Sequence, residues 1–335
     1  MNKLRLLGLP FAFLYGLLMS ARNHLYNKGL LESREYDIPI ICVGNLSMGG
    51  TGKSPMIAYL VKLLKDDYKV GVLSRGYGRK TSGYLEVETH STAKEVGDEP
   101  LQLKQNFPSV LTVVCEDRRT GIEKMKSRVE VILLDDAFQH RKVKADLNIL
   151  LTPFNELYLD DYIVPAGRLR EPTSGARRAD VIIVTKCPQP LSYAIQQQIQ
   201  FRMQLLPHQR LYFSRIGYDS KIYGKSEIQP LRYLIDKKFT LLTGIANPDP
   251  LVAFLKEQGF HFDHEKFKDH HYFSEAEIKR LSQKDIILAT EKDYVRLQPH
   301  LDKFAMYFLP IKTVLLNEQN EFFEQYIKDA IKNMG

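Results

Sequence analysis

A glycine-rich stretch that begins at position 44 contains the residue types that hold a phosphate group. It reads Gly44-Asn45-Leu46-Ser47-Met48-Gly49-Gly50-Thr51-Gly52-Lys53-Ser54-Pro55. Glycines let backbone N–H groups close around an anion, and a following helix would direct its positive end at the same anion. The general phosphate-loop pattern is G-x-x-x-x-G-K-[ST], and Ser47 stands here at the first glycine. Residues 47–54 are therefore predicted to bind the phosphates of a nucleotide; the alternative is a turn without a ligand.

Two carboxylates follow a separate apolar run, Val131 to Leu134, at Asp135 and Asp136. This is the Walker-B arrangement, in which a strand beside the loop strand delivers an Asp to Mg²⁺. Mg²⁺ prefers oxygen ligands, so Ser54 and both carboxylates are predicted metal ligands. One Asp would bind directly and the other through water, and the sequence does not decide which. A helix cap or a turn is the alternative role for such residues.

Strands and helices alternate along the chain, which is the order needed to bring these groups to one edge of a sheet. The predicted buried strands are 38–43, 70–73, 110–114, 131–134, 147–151 and 181–184. Helical patterns at 54–65 and 117–126 separate some of them. This order predicts an α/β fold of the P-loop NTPase type, a mostly parallel sheet with helices on both faces. We expect a nucleotide-binding domain at 36–230, followed by a smaller C-terminal α/β lobe at 231–335.

The first 35 residues differ from the rest of the chain. Leu6 to Met19 is apolar, with Lys3 and Arg5 before it and Arg22 after it. The stretch is shorter than the roughly 20 residues that span a bilayer core. We interpret residues 1–35 as a membrane-associated helical segment that lies in one leaflet. A buried helix, or a signal peptide or spanning helix, are the alternatives.

Composition limits the partners. The net charge of +7 favours anionic partners such as phosphates or an acidic membrane surface, although a generally basic surface would give the same value. No nucleic-acid motif is present, so we expect no nucleic-acid partner. The three cysteines, Cys42, Cys115 and Cys187, form no CxxC pair, which favours free buried thiols in a reducing cytoplasm.

The phosphate stretch and a series of later segments together resemble the tetraacyldisaccharide 4'-kinase family, the lipid A 4'-kinases of Gram-negative bacteria. The other segments that carry the resemblance are Ser74-Arg75-Gly76-Tyr77-Gly78, Gly97-Asp98-Glu99-Pro100, Leu134-Asp135-Asp136-Ala137-Phe138-Gln139-His140, Pro165-Ala166-Gly167-Arg168-Leu169-Arg170-Glu171-Pro172, Asp269-His270-His271 and Thr290-Glu291-Lys292-Asp293. The apolar N-terminus also matches. Ser54 replaces the more usual Thr and retains the hydroxyl, and residues 191–238 carry no family segment.

The resemblance implies an ATP-dependent kinase that phosphorylates the 4'-hydroxyl of an acylated glucosamine disaccharide 1-phosphate to give lipid IVA. It implies work at the cytoplasmic face of the inner membrane, on an anionic lipid. The sequence leaves the oligomeric state open, and a monomer is compatible with it.

The resemblance also implies roles for residues outside the phosphate stretch. Asp98 and His270 match a catalytic pair in which the Asp accepts the hydroxyl proton and the His orients or relays it. From the residues alone, a helix cap at Asp98 and a surface position for His270 remain open. Lys53 completes the predicted catalytic set.

The predicted substrate-binding residues are Asn45, Arg75, Arg168, Arg170 and Glu171. Arginine forks suit phosphate oxygens, either on the transferring group or on the 1-phosphate of the acceptor, and Glu171 would fix a guanidinium or touch Mg²⁺. Solvated surface ion pairs are the alternative for the arginines.

A membrane-associated GTPase or ATPase with a regulatory or metal-delivery role would share the phosphate stretch and the acidic pair. Such proteins generally read guanine with N/T-K-x-D after a strand. Thr185-Lys186-Cys187-Pro188 begins this pattern but has Pro188 at the position of the Asp. The sequence therefore favours ATP.

Overall fold

The computed structural model describes residues 7–269, 271–303 and 305–334. The strands are β1 (Ile40–Gly44), β2 (Val70–Ser74), β3 (Leu85–Glu86), β4 (Leu111–Val114), β5 (Val131–Asp135), β6 (Leu147–Pro153), β7 (Val181–Thr185), β8 (Arg210–Tyr218), β9 (Lys221–Tyr223), β10 (Ile228–Pro230), β11 (Phe239–Thr243), β12 (Phe262–Lys266), β13 (Ile287–Thr290), β14 (Met306–Leu309) and β15 (Ile311–Leu315). The α-helices are α1 (Leu9–Asn27), α2 (Lys53–Leu64), α3 (Ala93–Val96), α4 (Asp98–Asn106), α5 (Arg118–Met125), α6 (Tyr193–Met203), α7 (Asp249–Glu257), α8 (Glu275–Leu281), α9 (Glu291–Leu297) and α10 (Asn320–Met334).

The larger sheet has nine strands in the order β15-β8-β7-β6-β1-β5-β2-β4-β3. Neighbouring strands are parallel except at the two edges, where β3 and β15 pair antiparallel. Strands β1, β2, β5 and β7 are buried along their whole length, as their continuous apolar runs predict. The prediction of a mostly parallel P-loop sheet is confirmed.

Helices cover both faces of this sheet because its side chains alternate between two apolar cores. Ile41 and Val43 of β1 pack with α2 and α10 on one face. Ile40 and Cys42 point to the opposite face, where α5 and α6 contribute side chains. The two cores hold β1 in the middle of the sheet, so the loop that follows it starts from a rigid position.

The second, six-stranded sheet has the order β10-β9-β14-β13-β11-β12. It begins before residue 231, because β9 and β10 belong to it. The chain then returns to the first sheet: β15 pairs with β8, and Phe323 and Ile327 of α10 are fully buried against it. The expected lobe at 231–335 therefore needs correction to about residues 221–309. Only one residue, Pro310, separates β14 from β15, so the sequence gives no sign that the chain passes from the second sheet back to the first.

Helix α1 packs on the larger lobe by one narrow face. Ala12, Gly16 and Asn23 are buried there, and a β-carbon at Gly16 would lie 3.0 Å from Ile163. Pro10 stands in the first turn, where a missing N–H costs nothing, so it begins the helix rather than kinking it. None of the helices in the described part of the chain combines the length and the hydropathy that a membrane-spanning helix needs.

Candidate active site

The phosphate loop joins the end of β1 to the start of α2, as the sequence predicts. Gly49 and Gly52 have φ of +109° and +95°, a backbone region that glycine enters without strain. Lys53 is the first residue of α2, so the helix presents its N-terminus to the loop. The end of β7 supports the loop from the side, because Thr185 Oγ1 donates to the Thr51 carbonyl at 2.7 Å. Lys186 Nζ also donates to the loop, at the Gly50 carbonyl.

Strand register brings the acidic pair to the same edge of the sheet. β1 and β5 are parallel neighbours with Val43 opposite Asp135, so Asp136 follows directly beside the loop. Lys53 Nζ lies 3.8 Å from Asp136 Oδ2. Ser74 Oγ donates to Asp135 Oδ2 at 3.0 Å. The Walker-B arrangement expected from the sequence is thus assembled between adjacent strands.

The two carboxylates have opposite electrostatic surroundings. Burial raises the pKa of Asp135 to about 6, and the nearby Glu99 carboxylate adds to this rise. Burial would also raise the pKa of Asp136, but Lys53 and Arg170 outweigh it and hold that pKa below its ordinary value. Asp135 Oδ1 is buried and has no hydrogen-bond partner among the described residues. Such an oxygen is costly unless a ligand satisfies it, so the pair fits a hard cation.

The segment around residue 169 lies along the phosphate loop as a short antiparallel pairing. Ser47 and Leu169 form a bridge, and Met48 N donates to the Arg168 carbonyl at 2.7 Å. The Arg170 side chain reaches Asp136 Oδ1 at 2.8 Å and Oδ2 at 3.2 Å. Among the predicted substrate residues, Arg170 is therefore the one that reaches the acidic pair.

Arg168 and Arg75 lie elsewhere. The Arg168 guanidinium turns to Glu156, at 2.8 Å, and to Asp161, at 3.3 Å. Arg75 is exposed just after β2. Their binding of substrate stays a prediction.

Glu171 is fully buried and links three segments. Its carboxylate accepts hydrogen bonds from Asn23 of α1 at 2.8 Å, from Gln139 at 2.9 Å and from Arg178 at 2.8 Å. Gln139 also donates to the Asn45 carbonyl at 2.8 Å. Because protein donors surround this carboxylate, it positions α1 and the phosphate loop, and it fixes Arg178 rather than Arg168 or Arg170.

Asn45 is also fully buried, at the start of the loop. Its side-chain N–H donates to the Ser47 carbonyl at 2.6 Å, and its oxygen accepts from Lys53 Nζ at 3.4 Å and from Arg170. The side chain therefore fixes the loop and both cations, and the expected contact with substrate stays a prediction.

Asp98 begins α4, and the residue before it, Gly97, takes the cap position with φ of +92°. The structure therefore contradicts the alternative in which Asp98 caps the helix. Its carboxylate instead accepts two hydrogen bonds from Arg296, at 2.6 and 3.0 Å. His270, the predicted second member of the pair, lies outside the described residues.

Besides Arg296, sequence reasoning missed three residues that reach this site. Glu99 is bound by Lys292 at 2.6 Å, and burial, which would raise the pKa of Glu99, is outweighed by Lys292 and Lys53. Ser74 supports Asp135. Glu99, Ser74 and Lys292 all lie in segments that carry the family resemblance, and this could have marked them as candidates. Nothing in the sequence shows that they lie close together in the fold.

A family model described as Tetraacyldisaccharide-1-P 4'-kinase matches residues 4–332. The chain belongs to this family. Relatives named Tetraacyldisaccharide 4'-kinase include one from Flavobacterium johnsoniae, 45% identical over 341 residues that cover 99% of this chain and 100% of the relative. One from Bacteroides thetaiotaomicron is 43% identical over 349 residues that cover 95% and 91%.

A solved structure supports the same relationship. The crystal structure described as the "apo" form of LpxK from Aquifex aeolicus in complex with ATP matches with a TM-score of 0.79 at 32% identity. The match covers 98% of this chain and 99% of that one. The membership in the tetraacyldisaccharide 4'-kinase family that the motifs predicted is confirmed across nearly the whole chain.

Proposed function

We propose that this chain is an ATP-dependent tetraacyldisaccharide 4'-kinase, which transfers the γ-phosphoryl group of ATP to the 4'-hydroxyl of a lipid A disaccharide 1-phosphate and gives lipid IVA. The observation that carries the proposal is the meeting of Lys53 and Asp136, 3.8 Å apart, at the ends of adjacent parallel strands in a chain of this family. Phosphoryl transfer depends on positioning and charge stabilisation, and this edge supplies both.

The phosphate end of the site binds ATP. Backbone N–H groups of Gly49 to Ser54 would surround the phosphates, and Lys53 would contact the β- and γ-oxygens. Arg170, which is held by Asn45 and Asp136, adds a second cation beside Lys53. Proteins that recognise guanine contact the base with an Asp, and this chain has Pro188 at that position. The sequence therefore supports ATP over GTP.

Ser54, Asp135 and Asp136 would hold Mg²⁺. Asp135 Oδ1 is buried without a hydrogen-bond partner among the described residues, and a bound cation would satisfy it. Among the described residues, no group of three or more His, Cys, Asp or Glu side chains is arranged to hold a metal ion. Bound Mg²⁺ neutralises charge on the β- and γ-phosphates.

The acceptor end uses Asp98. A sugar hydroxyl is a poor nucleophile near neutral pH, so a carboxylate that takes its proton as the phosphoryl group arrives accelerates transfer. The N-terminus of α4 stabilises the Asp98 carboxylate by its partial positive charge. His270 would orient the carboxylate or relay the proton, and Arg168 and Arg75 would bind phosphate groups of the acceptor.

The outer face of α1 would place the site at a membrane. Phe11, Phe13, Leu14, Leu17 and Leu18 are all at least half exposed on this helix. An apolar face of this kind suits the headgroup boundary of one leaflet, where the acylated acceptor lies. The use of ATP and the three free, buried cysteines support the cytoplasmic face of the inner membrane.

The test is a transfer assay with identification of the product. The full chain is incubated with γ-labelled ATP, Mg²⁺ and tetraacyldisaccharide 1-phosphate in mixed detergent micelles, with GTP in a parallel arm. We expect label in the lipid that resists mild acid, because a 4'-phosphate ester survives conditions that remove an anomeric 1-phosphate. Label released only as free phosphate, or transfer from GTP as efficient as from ATP, would contradict the proposal.

A further inference from the structure

The segment Thr290-Glu291-Lys292-Asp293 lies far from the phosphate loop in sequence, yet it begins a helix that contacts the predicted catalytic Asp98. Thr290 caps α9, and its hydroxyl accepts from the backbone N–H of Asp293. Helix α9 belongs to the smaller lobe and packs on α4 of the larger lobe. We call this the α4–α9 contact. It is the place where the second lobe reaches the acceptor end of the site.

Polar side chains line the α4–α9 contact at both ends. At the start of α4, Arg296 binds Asp98 and Lys292 binds Glu99 at 2.6 Å. At its other end, Asn106 donates to Glu291, which is buried. The whole length of α4 is therefore held by the second lobe through direct hydrogen bonds.

Arg296 is fixed on its other side as well. Its NH1 group donates to Asp293 Oδ1 and to the Gly244 carbonyl, both at 3.0 Å. Asp293 is fully buried and accepts from Gly244 N at 2.8 Å and from Thr290 Oγ1. The Arg296 side chain is only 4% exposed, so burial and these hydrogen bonds together restrict its guanidinium.

The geometry of the Arg296–Asp98 pair bears on proton transfer. Nε and one terminal nitrogen of Arg296 both donate to Asp98 Oδ2, at 3.0 and 2.6 Å. Two N–H donors of one planar guanidinium on the same oxygen hold Oδ2 in place and so restrict where the carboxylate can lie. A proton acceptor that is misplaced by about 1 Å loses a large part of its effect, so such fixing matters for rate.

We propose that Arg296 is a positioning residue that orients the Asp98 carboxylate toward the acceptor hydroxyl, with the Lys292–Glu99 pair as a second attachment of the same helix. The inference rests on the proposed kinase function and extends it to the smaller lobe. The smaller lobe therefore completes the acceptor end of the site, whereas the phosphate loop and the acidic pair lie on the larger lobe.

The test measures kcat and KM in the transfer assay for Arg296→Gln and Arg296→Lys. Arg280→Gln is the matched control, because Arg280 pairs with Glu265 at 2.7 Å on the same lobe. We expect Arg296→Gln to lower kcat about 10- to 100-fold and to leave KM for ATP within about 2-fold, since ATP is bound by the other lobe. Arg296→Lys should recover part of the loss, and Arg280→Gln should behave as wild type.

A double variant separates positioning from general damage. In an Asp98→Asn background, Arg296→Gln should lower kcat by less than about 2-fold further, because the group that it orients is already gone. If Arg296→Gln does not fold, Lys292→Met takes its place, with an expected loss in kcat of about 3- to 10-fold.

Unchanged kcat in the folded variant, an equal loss in Arg280→Gln, or full additivity with Asp98→Asn would each overturn the inference. A wild-type chain that transfers no phosphate to the disaccharide would instead overturn the proposed function.

Discussion

The phosphate end and the acceptor end of the site are built in different ways. Lys53 and Asp136 meet because β1 and β5 are adjacent parallel strands of one sheet, each followed by a short turn. Asp98 is held by Arg296, 198 positions later in the chain and on the other lobe. The first end is a product of one rigid sheet, and the second depends on the docking of two lobes.

This difference has a physical consequence. Groups on the edge of a buried sheet keep their distances because both apolar cores hold the strands. Groups on either side of a lobe interface keep theirs only while the lobes stay docked. We therefore expect changes at the phosphate end to affect ATP use directly, and changes at the acceptor end to affect transfer with ATP binding retained.

The largest effect is expected from Lys53→Ala. Removal of the ammonium group takes away the charge that meets the γ-phosphate, and we expect transfer to fall by about 10³-fold or more. Circular dichroism should show an unchanged fold, because Lys53 is the first residue of α2 and lies outside the apolar cores. Full turnover in this variant would remove the phosphate loop from the account.

Asp98→Ala should come next, with transfer about 10²- to 10³-fold slower and ATP affinity retained. The affinity is measured by titration with a fluorescent ATP analogue, and the rate by the transfer assay. A fall in ATP affinity that equals the fall in rate would erase the distinction between the two ends. Unaltered turnover would remove Asp98 from the mechanism.

The phosphate end was largely predictable from the sequence because its parts are contiguous. A strand, a glycine-rich turn and Lys53-Ser54 occupy one stretch, and a second strand ends at Asp135-Asp136. The acceptor end was not, because no local pattern links Arg296 to Asp98. The return of β15 to the first sheet was missed for the same reason: the pairing partner, β8, lies about a hundred residues earlier.

Glu171 offers a test of stability that is independent of chemistry. Glu171→Ala would leave Arg178 partly buried without its carboxylate and would free Asn23 of α1, so we expect a loss of about 3 kcal/mol in the free energy of unfolding. Urea denaturation followed by circular dichroism measures this value. A loss below about 1 kcal/mol would mean that the buried carboxylate does not hold α1 and the phosphate loop together.

Arg170 and Arg168 are two residues apart, and comparison of their alanine variants tests which guanidinium acts at the site. The expected losses in kcat/KM are smaller than those for Lys53 and Asp98. Arg170→Ala should lower kcat/KM about 10-fold or more, because this guanidinium binds Asp136 and Asn45. Arg168→Ala should lower it by a smaller factor, about 3-fold, since the Arg168 guanidinium is also engaged in partly exposed ion pairs with Glu156 and Asp161. Equal losses would contradict this ranking of the two arginines.

Substitutions on the exposed face of α1 should give the smallest change in the free energy of unfolding. Phe11→Ser together with Phe13→Ser should alter the free energy of unfolding by less than about 0.5 kcal/mol, because both rings are about 70% exposed. The same variant should co-sediment less with anionic phospholipid vesicles. Unchanged co-sedimentation would contradict the proposed contact between α1 and the membrane.

The most direct measurement is a crystal structure of the full chain with a non-hydrolysable ATP analogue, Mg²⁺ and the disaccharide 1-phosphate. We expect the γ-phosphate within about 4 Å of Lys53 Nζ and the 4'-hydroxyl within about 3 Å of the Asp98 carboxylate, in line with that phosphate. A nucleotide bound away from the phosphate loop, or an acceptor whose 4'-hydroxyl lies far from Asp98, would contradict this expectation.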